Sequence, residues 1–356
     1  MKIVGLITEY NPFHAGHLYH MQRARELTGA DYCVVLMSGS FVQRGEPAIF
    51  DKYRRTKAAL LAGADLVLEM PVAFSTASAH EFAAYGVALL SAIGVDAVVF
   101  GSECGQIEFL KQAASALNHE SAEFQERLRK GLKAGLTYPQ ARAKALEMED
   151  TWASVLTSPN NILGIEYLRA AEDLHSPMEF YTISRKGSGY HEDTLADANF
   201  PSASAIRGII RNSLSKDKDL LDILASHLPA VTHPAYTGAV PVFVDDFSEL
   251  LNAAVLQMQA TFSIADLSPE LAARLAKPPY FPLSFEERIQ ALKTRQLTYT
   301  RVSRALLHLV LGMREEDISR WKDEGYALYA RILGFRRQSS PLLSCLHKKS
   351  SIPLIT

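Results

Sequence analysis

The first twenty residues constrain the fold of this chain more than any other stretch. An apolar run from Ile3 to Ile7 predicts a buried strand, and a turn follows at residues 9–13. A helix with one apolar face begins after the tetrapeptide His-Ala-Gly-His at residues 14–17. The first turn of a helix has unpaired N–H groups, and the helix dipole favours negative charge there. This order of elements predicts an anion-binding site, which Gly16 leaves open to close approach.

The two histidines of this tetrapeptide, His14 and His17, are the candidate catalytic residues. Imidazoles at a helix N-terminus can donate hydrogen bonds to phosphate oxygens and stabilise the charge that develops on them. The alternative is that they only cap the turn, because four-residue motifs also arise by chance. Their place between the first strand and the first helix, which phosphate binding requires, favours the catalytic interpretation.

The composition is that of a globular protein with a full hydrophobic core. The chain has 356 residues, of which 48% are hydrophobic and 21% charged, and this length favours two domains. A formal net charge of −2 excludes a globally basic protein, so any RNA contact must use a local patch. Cys33, Cys104 and Cys345 are far apart, which predicts reduced thiols and neither a zinc site nor a disulfide framework. We find no signal-peptide pattern and no apolar run of membrane-spanning length, and therefore expect a cytoplasmic protein.

The N-terminal region alternates apolar runs with helical stretches. The runs do not alternate strictly with polar residues, as expected of strands that are covered on both faces. Strands that alternate with helices predict an α/β fold with a doubly wound parallel sheet, in which ligands bind beyond the carboxyl ends of the strands. The predicted strands are 3–7, 32–37, 66–70, 95–100 and 178–184, and the predicted helices after the first are 52–62, 79–93, 109–117, 123–132, 139–148 and 162–174.

A long polar loop at residues 38–47 leaves the second strand at this same edge of the sheet. Arg44 offers a guanidinium fork that suits a carboxylate or a phosphate. Gln43 can hydrogen-bond a carboxylate or a base edge. The alternative is a solvated turn built by the glycines and the proline of the loop, but functional loops often leave strand ends in this way.

Three cations, Arg54, Arg55 and Lys57, follow on the next predicted helix, for which Asp51 is the predicted N-cap. A charge run of this kind is typical of a solvated helix face, and we favour that interpretation. The weaker alternative is a contact with the phosphates of a large substrate.

Two later stretches place polar residues at a helix start and at a strand end. Asn160 and Asn161 open the predicted helix at 162–174, where they either cap it or contact a ligand. Arg185 and Lys186 follow a predicted strand and precede two glycines. That pattern is typical of a phosphate-binding loop, although a charged surface turn is the alternative.

From residue 213 onward the strand pattern largely stops, and we expect a mainly helical domain at 213–356 after a first domain at 1–212. Helices are predicted at 220–228, 247–258, 269–275, 285–292 and 306–311, with one extra strand at 240–244. Cations interleaved with aromatic residues suit RNA backbone contacts and base stacking, whereas an ordinary charged surface is the alternative. The cations of this half are Arg288, Lys293, Arg295, Arg301, Arg304, Arg314, Arg331, Arg336, Arg337, Lys348 and Lys349.

The tetrapeptide at residues 14–17 resembles the His-X-Gly-His signature of nucleotidyltransferases and class I aminoacyl-tRNA synthetases. That resemblance implies ATP binding and attack on the α-phosphate. A serine-rich turn at residues 200–207, which leads into a helix, loosely resembles the Ile-Ser-Ser-Thr-X-Ile-Arg element of the same nucleotidyltransferases. Ser204 and Arg207 would then hold phosphates at a second helix N-terminus.

Several longer stretches resemble the bacterial tRNA(Met) cytidine acetate ligase family. The Phe-Val-Gln-Arg-Gly-Glu-Pro sequence after Ser40 is far more specific than the tetrapeptide. One departure is Ser40 itself, which stands where the family pattern has Asn; both are short and polar. The similar stretches are 9–17, 37–48, 100–103, 158–168, 293–304 and 329–335, so that the resemblance extends over the whole chain.

The resemblance implies a Rossmann-like nucleotidyltransferase domain followed by a mainly helical, tRNA-binding region. It implies an ATP-dependent ligase that forms acetyl-adenylate from acetate and transfers the acetyl group to N4 of the wobble cytidine of elongator tRNA(Met). Mg²⁺ would be held mainly by the nucleotide, without a dedicated set of protein ligands. We expect no membrane partner, and the sequence leaves the oligomeric state open.

The resemblance also assigns roles to residues by their position in the motifs. ATP would be bound by Ile7, Thr8, Glu9, Tyr10, Asn11, Pro12, Phe13, His14, Ala15, Gly16, His17, Leu18, Tyr19, His20, Gly101, Asn161, Arg185 and Lys186. The candidates for acetate or phosphate contacts are Gln43, Arg44, Ser204 and Arg207. The candidates for tRNA contacts are Lys293, Arg295, Arg301 and Arg304.

Two other functions remain open from the residues alone. One is a small-molecule adenylyltransferase of the phosphopantetheine or nicotinamide mononucleotide type, which would not need the basic helical half. The other is a non-catalytic RNA-binding protein with a degenerate nucleotide fold, against which the intact motif at residues 14–17 argues.

Overall fold

The sheet at the centre of the molecule is mostly parallel, as the sequence predicts. A computed structural model describes residues 1–136, 138–145, 155–156, 158–185, 202–214, 220–258, 263–277 and 282–356. The strands are β1 (Ile3–Thr8), β2 (Tyr32–Ser38), β3 (Phe41–Val42), β4 (Glu46–Pro47), β5 (Leu66–Met70), β6 (Ala97–Ser102), β7 (Glu179–Ser184), β8 (Ala330–Phe335) and β9 (Leu354–Ile355). Predicted and observed strand bounds in the N-terminal half differ by two residues at most.

Seven of these strands form one sheet in the order β7-β6-β1-β2-β5-β8-β9. Strand β1 is central: it pairs in parallel with β2 on one side and with β6 on the other. Strands that come later in the chain lie further from β1 on each side. The strand order therefore reverses between β1 and β6, and a ligand crevice forms at such a switch point beyond the carboxyl ends of the strands. The tetrapeptide at residues 14–17 follows β1 and lies at that crevice.

The helices cover both faces of the sheet. The helices are Ala15–Thr28, Lys52–Ala62, Val72–Ser75, Ala79–Ala92, Ile107–Asn118, Ala122–Lys133, Tyr138–Ala145, Pro159–Asp173, Ala203–Leu214, Leu220–Ala225, His233–Tyr236, Ser248–Gln257, Pro269–Leu275, Phe285–Leu292, Tyr299–Leu311, Glu315–Asp323 and Ser340–Lys349, with 3₁₀ turns at Ala230–Thr232, Val244–Phe247 and Arg337–Ser339. The last residues of the helix predicted at 139–148, and the loop that contains Lys186, lie outside the described residues.

Side chains on the two faces of the sheet pack into two separate hydrophobic cores. Val35 faces one core with the helices Ala15–Thr28, Lys52–Ala62 and Ala203–Leu214. Its neighbour Leu36 faces the other core with the helices that include Ala79–Ala92 and Pro159–Asp173. Burial on both faces explains the unbroken apolar runs of these strands, and it confirms the doubly wound class.

The C-terminal region returns to the sheet, which the sequence did not predict. Strand β8 pairs antiparallel with β5, with Glu69 opposite Arg331, and β9 adds to the far edge of β8. The extra strand predicted at 240–244 is wrong: these residues are not in a strand, and a 3₁₀ turn begins at Val244. The division into domains at 1–212 and 213–356 remains a prediction, with the qualification that the second segment completes the sheet of the first.

The remaining C-terminal helices form a third core of their own. It is built by the helices Ser248–Gln257, Pro269–Leu275, Phe285–Leu292 and Tyr299–Leu311. Phe41, at the start of the β3–β4 hairpin, packs against this core. The hairpin therefore connects the helical region to the edge of the sheet. No helix in the described ranges is both long and apolar enough to span a membrane.

Candidate active site

His14 and His17 form a stacked pair at the start of the first long helix. His14 is the N-cap of Ala15–Thr28, and its Nδ1 accepts a hydrogen bond of 3.0 Å from the N–H of Gly16. The N–H of His14 donates to Nδ1 of His17 at 3.2 Å, and the two ring centroids are 3.7 Å apart. Because both Nδ1 atoms accept, the neutral rings carry their proton on Nε2. The pair thus retains two Nε2–H donors for a ligand.

The three histidines of this helix are uncharged at neutral pH. Burial lowers the pKa of His14 to about 4, and the positive charge of Arg185 acts in the same direction. Burial also lowers the pKa of His17 well below its usual range, with further contributions from the two neighbouring imidazoles and Arg185. His20, whose Nε2 donates to the carbonyl oxygen of Val99 at 3.1 Å, has a pKa of about 4 because of its burial. Neutral donors of this kind stabilise phosphate charge without carrying a proton away.

Arg185 and Gly101 meet beside these imidazoles. The Nη1 atom of Arg185 donates to Oδ1 of Asn160 at 3.0 Å. A Cβ atom at Gly101 would lie 3.1 Å from Cγ of Arg185, so the absence of a side chain there leaves room for the arginine. The structure therefore brings these two predicted nucleotide contacts to the histidine pair. Lys186 is outside the described residues.

Asn161 is used in packing a helix terminus. It is 2% exposed, its N–H donates to Glu103 at 2.8 Å, and its Oδ1 accepts from the N–H of Cys104 at 3.1 Å. The N–H of Asn160 donates to the same carboxylate at 3.2 Å. Glu103 thus occupies the N-terminus of helix Pro159–Asp173, where a carboxylate is favoured. The cap is therefore Glu103, and the Asn161 side chain instead holds the N–H of Cys104. The contact of Asn161 with ATP remains a prediction.

The turn at residues 9–13, called the β1 turn below, is held by main-chain N–H groups of the loop at residues 43–49 and by the side chain of Arg207. Oδ1 of Asn11 accepts from the N–H of Ile49 at 2.7 Å, and the carbonyl of Asn11 accepts from Arg207 at 2.9 Å. Oε1 of Glu9 accepts from the N–H of Gln43 at 2.9 Å. Burial raises the pKa of Glu9, against the opposing effects of that N–H and of Arg207. The β1 turn is a preorganised backbone unit.

The same contacts place the acetate and phosphate candidates. Arg207, which is 19% exposed, pairs with Glu46 at 3.3 Å and donates to Oγ of Ser204 at 3.3 Å. Gln43 reaches Glu9 through its backbone, and Arg44 is exposed on the same hairpin, where its charge opposes the rise in the pKa of Glu9. All four candidates therefore lie around the β1 turn.

The solvated face predicted for the cations of helix Lys52–Ala62 is wrong for Arg55, whereas Lys57 is exposed as predicted and Arg54 is half-buried. Arg55 is 0% exposed and donates to the carbonyl of Glu9 at 2.7 Å. Arg54 donates to the carbonyl of Thr237 at 2.6 Å, and Lys57 donates to that of Pro234 at 3.1 Å. These cations bind main-chain oxygens of neighbouring loops. The only sequence signal for the burial of Arg55 is weak: it stands three and four residues before Ala58 and Ala59, on one face of the helix.

The candidates for tRNA contact divide into exposed and anchored residues. Lys293, Arg295 and Arg301 are exposed. Arg304 is 14% exposed, and its Nε donates to Asp266 at 2.9 Å. An ion pair of this kind leaves Arg304 little freedom to meet a phosphate. Arg304 therefore packs the helical region, and contact of the four candidates with tRNA remains a prediction that the three exposed residues fit better.

The single basic surface expected in the C-terminal half is not formed. Arg288 is buried against Asn252, and Arg331 pairs with Glu69 at 3.0 Å. Lys349 pairs with Asp96, which precedes β6 and so lies at the amino end of the sheet. Arg288 is therefore in the interior, Lys349 lies at the edge opposite His14, and Arg331 lies near the carboxyl end of β5, so these cations do not share one surface.

The fold and the site together define a nucleotidyl transferase: the entire chain, residues 1–356, matches the family model described as HIGH Nucleotidyl Transferase. Curated relatives then give the particular family. A protein of Acetivibrio thermocellus is 39% identical over 100% of this chain and 88% of its own length, and one of Clostridium novyi is 40% identical over 99% and 89%. Both are named tRNA(Met) cytidine acetate ligase, and this chain belongs to that family, as its motifs indicated.

Two solved structures agree with this placement. The crystal structure of Thermotoga maritima TmcAL bound with alpha-thio ATP has a TM-score of 0.87 to this chain and 34% sequence identity. Its apo form has a TM-score of 0.89 with the same identity. Each comparison covers 100% of this chain and 86% of the other. The predicted fold class is confirmed.

Proposed function

We propose that this chain is an ATP-dependent ligase that activates acetate and acetylates N4 of the wobble cytidine, position 34, of elongator tRNA(Met). The observation that carries the proposal is the stacked His14–His17 pair, which presents two Nε2–H donors at the switch point of the sheet. The names of the relatives favour this activity over a small-molecule adenylyltransferase and over a non-catalytic RNA-binding protein.

The first step joins acetate to AMP. An acetate oxygen attacks the α-phosphorus of ATP, the bond to the β-phosphate oxygen breaks, and pyrophosphate leaves with its electrons. The chain has no need of a nucleophile of its own, because positioning and charge stabilisation are sufficient for phosphoryl chemistry. In this proposal the Nε2–H groups of His14 and His17 donate to the phosphate oxygens on which charge develops.

ATP lies along the β1 turn and the start of helix Ala15–Thr28 in this proposal. Gly101 and Arg185 close the other side of the nucleotide, and Arg207 and Arg44 supply positive charge for acetate or phosphate. Mg²⁺ is held mainly by the phosphates.

The second step transfers the acetyl group to RNA. N4 of cytidine attacks the carbonyl carbon of acetyl-adenylate, the bond to the phosphate oxygen breaks, AMP leaves and N4 loses a proton. The cytidine must be splayed out of its loop to expose this amino group. Exposed Lys293, Arg295 and Arg301 are the proposed backbone contacts, in the second of the two proposed domains, 213–356. We place the enzyme in the cytoplasm, where its RNA substrate is used.

Acetate-dependent exchange of labelled pyrophosphate into ATP tests the first step without RNA. We expect exchange with acetate and none without it, and we expect His17→Ala to abolish it. Exchange that does not require acetate, or no exchange at all in the folded protein, would overturn the proposed activation step.

A further inference from the structure

Arg55 forms the most extensive buried contact at the carboxyl edge of the sheet. Its Nε donates to the carbonyl of Phe50 at 2.9 Å, and its Nη1 donates to the carbonyls of Glu9 at 2.7 Å and Ser38 at 3.0 Å. Its Nη2 donates to the carbonyl of Gly39. One guanidinium group therefore joins the β1 turn, the end of β2 and the loop that precedes its own helix.

The positive charge of Arg55 has no carboxylate in direct contact, although the charges of Glu9, Asp51 and Glu69 act on it from a greater distance and raise its pKa against the effect of burial. Within the described ranges, no carboxylate oxygen lies within the 4.0 Å that defines an ion pair here, and its hydrogen-bond acceptors are neutral carbonyls. Burial lowers the pKa of Arg55 to about 10, so the side chain remains protonated at neutral pH. A buried charge without a counterion is costly, and an anion bound nearby would relieve that cost.

The position of Arg55 makes the β1 turn the point where such an anion would act. The carbonyl of Glu9, which Arg55 holds, belongs to the peptide that leads into Tyr10. Tyr10 has a φ of 49°, a left-handed conformation that costs on the order of 1–3 kcal/mol for a residue with a side chain. Arg55 thus stabilises a strained turn through the carbonyl of Glu9, and His14 directly follows that turn in the chain. Arg207 holds the same turn through the carbonyl of Asn11.

We propose that Arg55 is a positioning residue for the adenylating site and that its buried charge is compensated by the polyphosphate of ATP. The proposal rests on the proposed function. In this proposal the Arg55 side chain contributes in two ways. The hydrogen bonds of its guanidinium group fix the backbone conformation of the β1 turn, and its positive charge increases the affinity for the phosphates of the nucleotide.

The test compares ATP with adenosine, which lacks the phosphates, by calorimetry on the full-length protein. In Arg55→Met, affinity for ATP falls by about tenfold or more, while affinity for adenosine stays within about twofold. In Arg55→Lys, the charge remains but one ammonium group cannot hold carbonyls of three segments. The ratio of ATP to adenosine affinity then stays near that of the wild type, while kcat of acetate-dependent exchange falls by about tenfold.

Arg54→Met is the matched control. Arg54 is the preceding residue and also donates to three main-chain carbonyls, those of Ala235, Thr237 and Gly238. The carbonyls that it holds belong to residues 235–238 and not to the β1 turn. We expect this variant to lose stability but to keep the ratio of ATP to adenosine affinity and the exchange rate.

Each result decides for or against the proposal. Equal losses of ATP and adenosine affinity in Arg55→Met would show a purely structural role and overturn it. If Arg55→Met does not fold, Arg55→Lys decides: exchange at the wild-type rate overturns the proposal, and the slow exchange described above supports it. If only the inference about Arg55 is wrong, the wild-type protein still shows acetate-dependent exchange. If the proposed function is wrong, the wild-type protein shows no such exchange.

Discussion

Oγ of Ser303 donates a hydrogen bond of 2.8 Å to the carbonyl oxygen of Gly45, and this contact joins the helical region to the loop beside the β1 turn. The two residues approach so closely because Gly45 has no side chain: a Cβ atom there would lie 2.4 Å from the backbone nitrogen of Arg304. Two residues before Gly45, the N–H of Gln43 donates to Glu9. A displacement of helix Tyr299–Leu311 would therefore be transmitted to the β1 turn.

The variant Gly45→Ala tests this contact between the helical region and the loop. Gly45 has a φ of 78°, and backbone of another helix occupies the space that a methyl group would need. We expect the free energy of unfolding to fall by about 2–5 kcal/mol, the sum of left-handed strain and overpacking. Gly312→Ala is the control, because Gly312 has a φ of 64° but nothing within 4 Å of its added Cβ. It should lose only about 1–2 kcal/mol. Equal losses in denaturant titrations of the two variants would contradict the close contact.

Gly16→Ala tests the placement of the histidine pair. An added Cβ would lie 2.8 Å from Cε1 of His14, so the ring must move. We expect acetate-dependent exchange to slow by about 10- to 100-fold, because small displacements of reacting groups are costly. Gly208→Ala, also within a helix but with nothing within 4 Å, should leave the rate unchanged and add about 0.5–1 kcal/mol of stability. Wild-type exchange in the Gly16 variant would refute the assigned role of His14.

The free energy of unfolding should decrease as the pH is lowered through the range set by the buried histidines. The folded-state pKa values of His14 and His20 are about 4, below the usual value of 6.5. Between pH 6.5 and 4 the unfolded chain therefore binds protons that the folded chain does not, and the stability present above this window is lost as pH falls through it. We expect denaturant titrations to show this slope and His20→Gln to reduce it. A slope unchanged by that substitution would contradict the buried, neutral state of His20.

The exposed cations Lys293, Arg295 and Arg301 should carry part of the RNA affinity. Replacing all three with Ala should weaken tRNA binding and reduce the slope of log K against log salt by about 2–3, while acetate-dependent exchange is unchanged. The control replaces Arg337 and Lys348, which are also exposed but follow β8 toward the amino edge of the sheet. Filter binding at several salt concentrations measures both. An equal loss in the control variant would show that this patch has no special role.

Local signals predicted most of the fold correctly. The helix Lys52–Ala62 has its predicted bounds because Asp51 accepts hydrogen bonds from Tyr53 and Arg54 at its start and Gly63 ends it. Strand β8 was missed because it pairs with β5, which is more than 250 residues earlier in the chain, and a short run containing Arg331 gives little local signal. The run at 240–244 has three valines and a phenylalanine, which favour a strand, but Pro241 interrupts it and no described strand pairs with it.

The position of the histidine pair between β1 and the first helix was predicted from its motif, whereas its catalytic role remains a prediction. The tetrapeptide indicated His14 and His17, but the loss of charge on their rings depends on burial and on Arg185, which only the fold brings together. The burial of Arg55 was not predicted because charged side chains are rarely buried. Nothing in the sequence shows that four main-chain carbonyls accept hydrogen bonds from it. The ion pair of Arg304 was not foreseen because Asp266, its partner, is distant in sequence.

The most direct measurement uses purified protein, ATP, labelled acetate and elongator tRNA(Met), followed by nucleoside analysis of the digested RNA. We predict that N4-acetylcytidine is formed at position 34, with one AMP and one pyrophosphate released for each acetyl group. We predict no product when acetyl-CoA replaces ATP and acetate. Acetylation with acetyl-CoA, and none with ATP and acetate, would contradict the proposed function.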